Sequence, residues 1–479
     1  MKPNILWICT DQQRFDSLGC YGNEFVKTPH IDRLAERGVL FENCYSQSTV
    51  CTPSRASFLT GRYPRTNRCR QNGQAISNDE VLVTKLLADA GYKCGLSGKL
   101  HISPCHPSVA PEEEARIDDG YSQFHWSHHP QPDWPTNEYT QWLQEKGKEF
   151  KPQSLETCSY VQYGPEVEDH QTTWCAEKAI QFMEANKNAD KPWLFSVNFF
   201  DPHHPFNPPK QYLQRYLDRL QELPLPNYTK NELDHKPIYQ QVDHEGAYGM
   251  KGHLAYSEMN EHDHRMLRAA YWAMIDLIDD QVGRMIAALE ETGQIDNTMI
   301  IFMSDHGELL GDHGIYLKGP HFYEGSVKVP FIVSWPAKIR EGQKIDHLIE
   351  LVDLAPTLLE AASEPIYEGM KGQSLWPVLV KEDLAYSYRN DVYCEYYNVN
   401  LKDKKNITHA TMVRNEDYKL VLYHGDKTGE LYHLKDDPNE VENIWDHSAY
   451  QTIKMTLFQR LCDRMAETAD PLPLRQSPW

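Results

Sequence analysis

Apolar runs of strand length alternate with helical patterns over most of this 479-residue chain. Residues 193–200, 298–304 and 329–335 lack the every-second-residue alternation of a half-exposed strand, which predicts strands buried on both faces. Over residues 267–289, apolar side chains recur at spacings of three and four, and Gly293 is placed to end this predicted helix. Strands that alternate with helices predict an α/β fold whose sheet is covered on both faces.

The pattern changes after about Lys381. Short aromatic-rich runs at close spacing predict an antiparallel sheet formed by residues 392–397, 411–414, 418–423 and 430–434. A helix is predicted around residues 451–467. We therefore divide the chain into a large α/β domain, residues 1–380, and a smaller C-terminal α+β domain, residues 381–479.

Composition excludes several classes of protein. The net charge of −21 argues against nucleic acid or an anionic membrane surface as a partner. No apolar run is long enough to span a bilayer, and residues 4–9 read as a buried strand rather than as part of a signal peptide. We expect a cytoplasmic protein, or a periplasmic one if a leader was removed. The 11 cysteines lack regular spacing, which predicts reduced thiols rather than a disulfide framework.

Two long polar insertions interrupt the alternation, at residues 105–170 and 205–262. Both are rich in histidine, proline and aromatic residues. Long irregular segments in a compact domain are often substrate loops, although surface elaboration without a role is an equal alternative. The first insertion holds a histidine cluster that we predict to be surface or substrate-contacting rather than a metal site: His125, His128 and His129.

Polar residues collect at the predicted strand ends, where α/β proteins place their catalytic groups. These clusters occupy residues 11–12, 98–101, 201–205 and 304–307. Asp11 and Gln12 offer hard oxygen ligands suited to Ca²⁺ or Mg²⁺, and Asp305 with His306 could complete the same site. Each cluster alone also has a structural interpretation, such as a helix cap or a solvated loop.

The segment that begins at Cys51 predicts an anion site. Pro53 suits the first turn of a helix and Gly61 suits its end, so Cys51 would lie at the positive end of the helix dipole. Local positive charge comes from Arg55, Arg62, Arg65, Arg68 and Arg70. A structural helix with a buried cysteine is the alternative. A tyrosine-phosphatase loop fits less well, because Ser57 stands where its arginine is expected.

Motifs at residues 11–12, 51–55, 98–101, 202–205 and 303–308 resemble, in order, those of the type I sulfatases. The resemblance extends over nearly the whole chain, through the C-terminal runs at residues 411–420 and 430–438. It implies an alkaline phosphatase-like fold with a large mixed central sheet and a smaller antiparallel-sheet domain. It also implies that a formylglycine-generating enzyme oxidises Cys51 to Cα-formylglycine, an aldehyde whose hydrate is the nucleophile.

The resemblance implies a metal site as well. Its ligands would be Asp11, Gln12, the modified Cys51, Asp305 and His306, with Ca²⁺ as the first choice. Many sulfatases have a second aspartate where Gln12 stands and an asparagine where His306 stands. Because the histidine adds a nitrogen ligand, Mn²⁺ becomes more plausible, and Mg²⁺ is also possible.

Further roles follow from the same resemblance. Arg55 would hold the hydrated aldehyde with the metal, and Asp305 would accept the proton of the attacking hydroxyl. Sulfate would be bound by Lys99 and Lys318. The remaining roles fall to histidines: His203 would protonate the leaving alcohol, His101 would trigger release of sulfate, and His204 and His321 would contact the substrate. His204 is the alternative acid if the alignment is off by one, and Tyr323 is a further possible contact.

The expected activity is hydrolysis of a sulfate monoester. The aromatic and histidine-rich insertions favour a sulfated sugar, as a small molecule or an oligosaccharide, over a small aliphatic sulfate, with choline-type sulfate as an alternative. A phosphonate or phosphate ester hydrolase of the same superfamily is the nearest rival. A non-catalytic scaffold that binds sulfated glycans is the rival from another class.

Overall fold

The computed structural model describes residues 2–380, 386–400 and 403–477. The predicted domain boundary at Lys381 lies outside the described residues, so the division into residues 1–380 and 381–479 stays a prediction.

A large mixed sheet forms the centre of the molecule. Within residues 2–380 it contains nine strands, in the order β11-β2-β10-β8-β1-β7-β3-β4 with β9 paired to β2. The strands are β1 Asn4–Thr10, β2 Val39–Tyr45, β3 Lys93–Gly98, β4 Tyr121–Trp126, β7 Trp193–Asn198, β8 Thr298–Ser304, β9 Lys328–Val329, β10 Phe331–Ser334 and β11 Gln343–Glu350. A separate hairpin in the first insertion pairs β5 Gln153–Leu155 with β6 Cys158–Tyr163.

Strand β1 lies near the middle of the sheet, parallel to both β7 and β8. Its residues are all buried. Alternate side chains enter different apolar cores: Leu6 and Ile8 join one, and Ile5 and Trp7 join the other. This two-sided burial explains why its sequence shows no polar alternation.

The predicted strand at 329–335 is wrong in one respect, because it is broken at Pro330. The short strand β9 pairs with β2, whereas β10 runs antiparallel to both β8 and β2. Proline has no N–H to donate to a ladder, so the pairing with β2 is interrupted at this point. The antiparallel β10 makes the sheet mixed, as expected from the resemblance.

Helices cover both faces of the central sheet. One face carries α9, the helix predicted from its periodicity, which packs against α1, α6 and α7. The other face carries α2, α4, α11 and α12. The helices are α1 Pro29–Glu36, α2 Cys51–Thr60, α3 Pro64–Asn67, α4 Val83–Asp89, α5 Glu138–Glu145, α6 Gln171–Asn186, α7 Lys210–Leu217, α8 Ile238–His244, α9 Glu261–Glu291, α10 Glu324–Val327, α11 Leu354–Ala361, α12 Trp376–Val380 and α13 Gln451–Glu467.

The C-terminal part contains the predicted antiparallel sheet and helix. Its strands pair in sequence order: β12 Asp391–Asn400, β13 Asp403–Asn415, β14 Tyr418–Tyr423 and β15 Gly429–His433. Helix α13 packs against β13 and β14. Across the described ranges, none of the helices has the length and apolar character needed to cross a membrane.

Candidate active site

The site forms where the parallel strands end together. Register pairs Thr10 of β1 with Ser304 of β8, so the next residues, Asp11 and Asp305, leave the sheet side by side. The Asp305 amide donates to the Thr10 carbonyl oxygen at 3.2 Å. Two residues that the chain separates by almost 300 positions are thereby held at one edge.

The neighbouring strands β3 and β7 bring Lys99 to the same edge. Gly98 pairs with Asn198, and the Lys99 amide donates to the Asn198 carbonyl oxygen at 3.1 Å. Gly98 has a φ of +99°, and a Cβ on it would lie 2.0 Å from that carbonyl oxygen. Glycine is therefore required before the lysine, since any side chain would collide with the adjacent backbone.

Helix α2 presents Cys51 as its first residue, and Gly61 ends the helix in the left-handed conformation, as predicted. The Asn72 side-chain oxygen accepts from the Thr52 amide at 3.0 Å, one of the free N–H groups of the first turn. Cys51 is 1% exposed. It therefore lies at the positive end of the helix dipole, beneath the protein surface.

The Cys51 Sγ atom is surrounded by charged and polar side chains. It lies 2.9 Å from Lys318 Nζ and 3.6 Å from Lys99 Nζ. His306 Nε2 is at 3.2 Å and Asp11 Oδ1 at 3.5 Å. Burial and Asp11 raise the pKa of this thiol, but Lys318, Lys99 and His306 outweigh them, so the net effect is a lowered pKa. The position favours a negatively charged atom.

Arg55 holds the two carboxylates in place. Its Nε atom donates to Asp305 Oδ2 at 2.8 Å, its Nη2 atom to Asp11 Oδ2 at 3.3 Å, and its Nη1 atom to the Lys99 carbonyl oxygen at 2.9 Å. Burial acts to raise the pKa of Asp11, but the cationic Lys99 and Arg55 outweigh it and hold the pKa well below its usual value. Asp11 is therefore ionised at neutral pH.

Four buried side chains could together hold a metal ion. Asp11, Cys51, Asp305 and His306 each offer an atom within 4.8 Å of the others. Gln12, next to Asp11 in the chain, offers a further candidate donor, because its Oε1 atom is buried and has no hydrogen-bond partner within the described ranges. The oxygens of two carboxylates and an amide form the hard donor set that Ca²⁺ prefers, and an imidazole nitrogen suits a transition metal such as Mn²⁺. The donor set fits the implied ion.

Comparison with known proteins identifies the family of this chain. The family model described as Sulfatase matches residues 3–364. The chain belongs to the sulfatase family. A second family model, described as N-sulphoglucosamine sulphohydrolase, C-terminal, matches residues 311–467. Family membership makes the protein a sulfuric ester hydrolase.

Relatives and solved structures match this sulfatase over nearly its whole length. An arylsulfatase of Clostridium perfringens (strain 13 / Type A) is 30% identical over 465 residues, covering 94% of this chain and 92% of the relative. An N-acetylglucosamine-6-O-sulfatase of Bacteroides thetaiotaomicron is 26% identical, covering 98% and 88%. The phosphonate monoester hydrolase of Agrobacterium radiobacter has a similar structure, with a TM-score of 0.86, 25% identity and coverage of 98% and 97%.

A cavity of about 400 Å³ opens above Cys51 in this sulfatase. Its floor includes Lys99 and Lys318, and both insertions contribute to its wall. The first insertion supplies His128, His129 and Gln131, and the second supplies Tyr248. His125 instead contacts Glu138, with 2.8 Å between its Nδ1 atom and Oε2, and does not appear in the described wall. Both insertions therefore face the space where a substrate would bind.

The catalytic histidines expected in a sulfatase, His101 and His203, also line this cavity. Burial, followed by the charge of Lys99, lowers the pKa of His101 well below 6.5. Burial, followed by the charge of Lys318, lowers the pKa of His203 in the same way. Both imidazoles are therefore neutral at pH 7 in the free protein. His204 lies beside His203 in the wall, with 4.1 Å between the stacked ring centroids.

His321 and Tyr323 do not face the cavity, which corrects the expectation that they contact the substrate. His321 is fully buried, and its Nε2 atom lies 2.7 Å from Asp243 Oδ2. The Tyr323 ring stacks on His313 at 3.6 Å, and its hydroxyl donates to Glu430 Oε1. Both side chains are held inside the protein by these contacts, although the Nδ1 atom of His321 has no hydrogen-bond partner among the described residues.

Sequence reasoning missed three residues of the site. Glu114, from the first insertion, accepts from the His101 and Ile102 amides at 2.8 and 3.1 Å and holds His101 at a φ of +55°. Tyr248 lines the cavity with a φ of +61°, rare for a bulky residue. Glu308 is fully buried beside Gln12. Of these three residues, only Glu308 had a signal in the sequence, because it belongs to the motif at residues 303–308. Glu114 and Tyr248 lie in the insertions, which carry no periodic pattern that could place them.

Proposed function

We propose that this sulfatase hydrolyses sulfate monoesters of sugars, with a formylglycine made from Cys51 and a bound divalent cation. One observation carries the proposal: the Cys51 Sγ atom lies at the helix N-terminus, within 3.6 Å of Lys318, His306, Asp11 and Lys99. In this geometry Sγ marks the place of a formylglycine oxygen. No structural need explains a cysteine at the base of a cationic cavity.

The cation would be held by Asp11, Gln12, Asp305 and His306, together with the oxygen at residue 51. Bound there, it would act as a Lewis acid on a sulfuryl oxygen and help orient the nucleophile. We propose Ca²⁺ because most of the donors are oxygens, with Mn²⁺ as the alternative because of His306.

Two lysines would stabilise the sulfuryl group during its transfer. Lys318 and Lys99 reach the nucleophile from residues far apart in the chain, and both are buried, at 3% and 2% exposure. Charges fixed in a site that excludes water stabilise developing charge more strongly than charges in solution. Asp305 would accept the proton of the attacking hydroxyl, a new S–O bond would form at residue 51, and the S–O bond to the alcohol would break.

His203 would then protonate the leaving alcohol. Its Nδ1 atom lies 2.6 Å from the His204 carbonyl oxygen and must donate to it, so the Nε2 atom is left to face the substrate. The pKa of His203 is low in the free protein, and the negative charge of a bound sulfate ester would raise it. His101 would take the proton of the second hydroxyl at residue 51. Loss of this proton would expel sulfate and restore the aldehyde.

A sugar is the proposed leaving group because of the size and lining of the cavity. The space of about 400 Å³ suits a sugar ring, and Tyr248, His129 and His204 provide flat faces for it. The similarity to the N-acetylglucosamine-6-O-sulfatase of Bacteroides thetaiotaomicron supports the same substrate class.

Phosphonate monoesters are a second candidate substrate class. The observation that favours them is the close structural match to the phosphonate monoester hydrolase of Agrobacterium radiobacter, with a TM-score of 0.86 over 98% of this chain. Both ester types place a tetrahedral anion on the cation and the two lysines, so the lining of the site does not separate them.

The test begins with co-expression of a formylglycine-generating enzyme and mass spectrometry of the peptide that carries residue 51. The proposal requires loss of sulfur and an aldehyde at this position. Hydrolysis of a sulfate and a phosphonate ester with the same aryl leaving group then separates the two candidates, followed by a panel of sugar sulfates. Cys51→Ala is the control, and turnover that survives this substitution would contradict the proposal.

A further inference from the structure

Glu308 is a fully buried carboxylate whose two oxygens are both used for hydrogen bonds. Its Oε1 atom accepts from the backbone amides of Leu310 and Leu317. Its Oε2 atom accepts from the Gln12 side-chain amide. The side chain therefore joins two segments that approach Cys51 from different sides.

The contact with Glu308 determines which end of the Gln12 amide group is bonded within the protein and which end is left for a ligand. The Gln12 backbone is already fixed, because its N–H donates to Asp305 Oδ1 at 3.0 Å and its carbonyl oxygen accepts from the Tyr271 hydroxyl at 2.7 Å. Its φ is +65°, which also restricts the side chain. Since Nε2 donates to Glu308, Oε1 is left buried without a partner in the described parts of the chain.

The second contact acts on the segment that carries Lys318. Leu317 has a φ of +67°, and its amide donates to Glu308. The next residue, Lys318, reaches Cys51 Sγ at 2.9 Å and His306 Nε2 at 3.4 Å. The same carboxylate therefore anchors the backbone from which this lysine extends.

We propose that Glu308 is a positioning residue that keeps the side-chain oxygen of Gln12, Oε1, directed at the cation. The inference rests on the metal site of the proposed function and concerns the orientation of one ligand. It depends on Glu308 acting as an acceptor. In Glu308→Gln, the side-chain oxygen would keep the hydrogen bonds from the Leu310 and Leu317 amides. Its NH₂ group would then face the NH₂ group of Gln12, and two donors cannot bond to each other. Gln12 would then rotate and present its NH₂, which binds no cation.

The experiment measures metal affinity rather than turnover, on metal-stripped protein shown by mass spectrometry to carry formylglycine at residue 51. Calorimetric titration with Ca²⁺, repeated with Mn²⁺, is applied to wild type, Glu308→Gln and the double variant Gln12→Glu/Glu308→Gln. We expect the single variant to bind about 10–100-fold more weakly, the usual cost of losing a group that orients a ligand. The double variant restores an acceptor opposite a donor, so we expect its affinity to recover to near the wild-type value.

Glu114→Gln is the matched control. Glu114 is also a buried carboxylate, 1% exposed, that accepts from two backbone amides near the site, but it contacts none of the proposed ligands. We expect the Glu114→Gln variant to bind Ca²⁺ and Mn²⁺ as tightly as wild type. Melting temperatures of all variants verify that each is folded under the titration conditions.

Three outcomes would overturn the inference. Glu308→Gln could bind the ion as tightly as wild type, or the double variant could stay as weak as the single one. If Glu308→Gln did not fold, the affinity of the double variant would decide alone. A folded double variant that bound the ion weakly would contradict the inference, because its donor and acceptor are again paired. The third outcome is a wild-type protein that binds neither ion and gives the same titration trace as Asp11→Ala. This result would contradict the proposed metal site, and the inference with it.

Discussion

Lys318 Nζ lies 2.9 Å from Cys51 Sγ, although 267 positions separate the two residues in the chain. Cys51 comes from the start of α2, and Lys318 comes from the loop between β8 and α10. Nothing local to either residue places them together. The positions of β2 and β8 in the sheet do so. Both strands run antiparallel to β10, which lies between them, so the segments that follow them leave from the same edge.

Lys318→Met should reduce kcat/KM by about 10²–10³, since it removes one fixed positive charge from the transferring sulfuryl group. The measurement is steady-state hydrolysis of an aryl sulfate by protein shown to carry formylglycine. Lys328→Met is the control, because Lys328 packs over the Phe15 ring at 4.3 Å and is not part of the described cavity wall. Equal losses in the two variants would contradict the role of Lys318.

His203→Ala should lose about 10²–10⁴ in kcat/KM on an alkyl or sugar sulfate, the usual contribution of a general acid. The loss should be smaller on an aryl sulfate, because its leaving group is stable without a proton. Parallel assays on the two substrates test this difference. If both substrates lost activity to the same degree, His203 would not be the acid, and His204→Ala would be tested in the same way.

Tyr248→Ala should lower kcat/KM roughly tenfold on a sugar sulfate, because it removes an aromatic face from the cavity wall. A small alkyl sulfate, which does not reach the ring, should be little affected. Met250→Ala is the matched control: Met250 is 51% exposed, lies two positions away and is outside the described wall. A uniform loss on both substrates would indicate general damage to the loop rather than loss of a substrate contact.

Lys419→Met should destabilise the junction between the central sheet and the C-terminal sheet. Lys419 is buried on β14, and its Nζ atom lies 2.8 Å from Glu324 Oε1 and 2.6 Å from Glu440 Oε1. Without it, two buried carboxylates lose the cation that they share, and breaking a buried pair in this way costs about 3–5 kcal/mol of the free energy of unfolding. Denaturant unfolding at pH 7 measures the loss. Lys85→Met, which breaks an exposed pair with Asp89, should change little.

The same ion pair predicts how stability depends on pH. Burial acts to raise the pKa of Glu324, but Lys419 outweighs it and lowers the pKa from 4.5 to about 2. The stabilisation from ionised Glu324 is therefore present above about pH 4.5 and lost as the pH falls toward 2. The deficit of Lys419→Met should shrink at acidic pH, because unpaired buried carboxyl groups take up protons there. A deficit that stayed constant from pH 5 to pH 3 would contradict this account.

Local pattern was sufficient to predict several elements of the fold. The uninterrupted apolar residues of β1 and β8, the spacing along α9 and the position of Gly61 after α2 each reflect the immediate surroundings of a few residues. Periodicity reports which faces are buried, and glycine reports a left-handed backbone, so neither needs knowledge of the rest of the chain. The break at Pro330 was missed, although its signal is local, since proline has no N–H to donate to a strand ladder.

The sequence by itself determined which groups of the candidate site stand at strand ends, since polar residues directly after buried strands must leave the sheet there. Only the tertiary structure decided which of them meet and which way each side chain faces. It buried His321 against Asp243, aligned Gln12 through Glu308 and brought Tyr248 into the cavity. These relationships join residues from irregular segments that are distant in the chain, and their physical cause is the packing of those segments against one another.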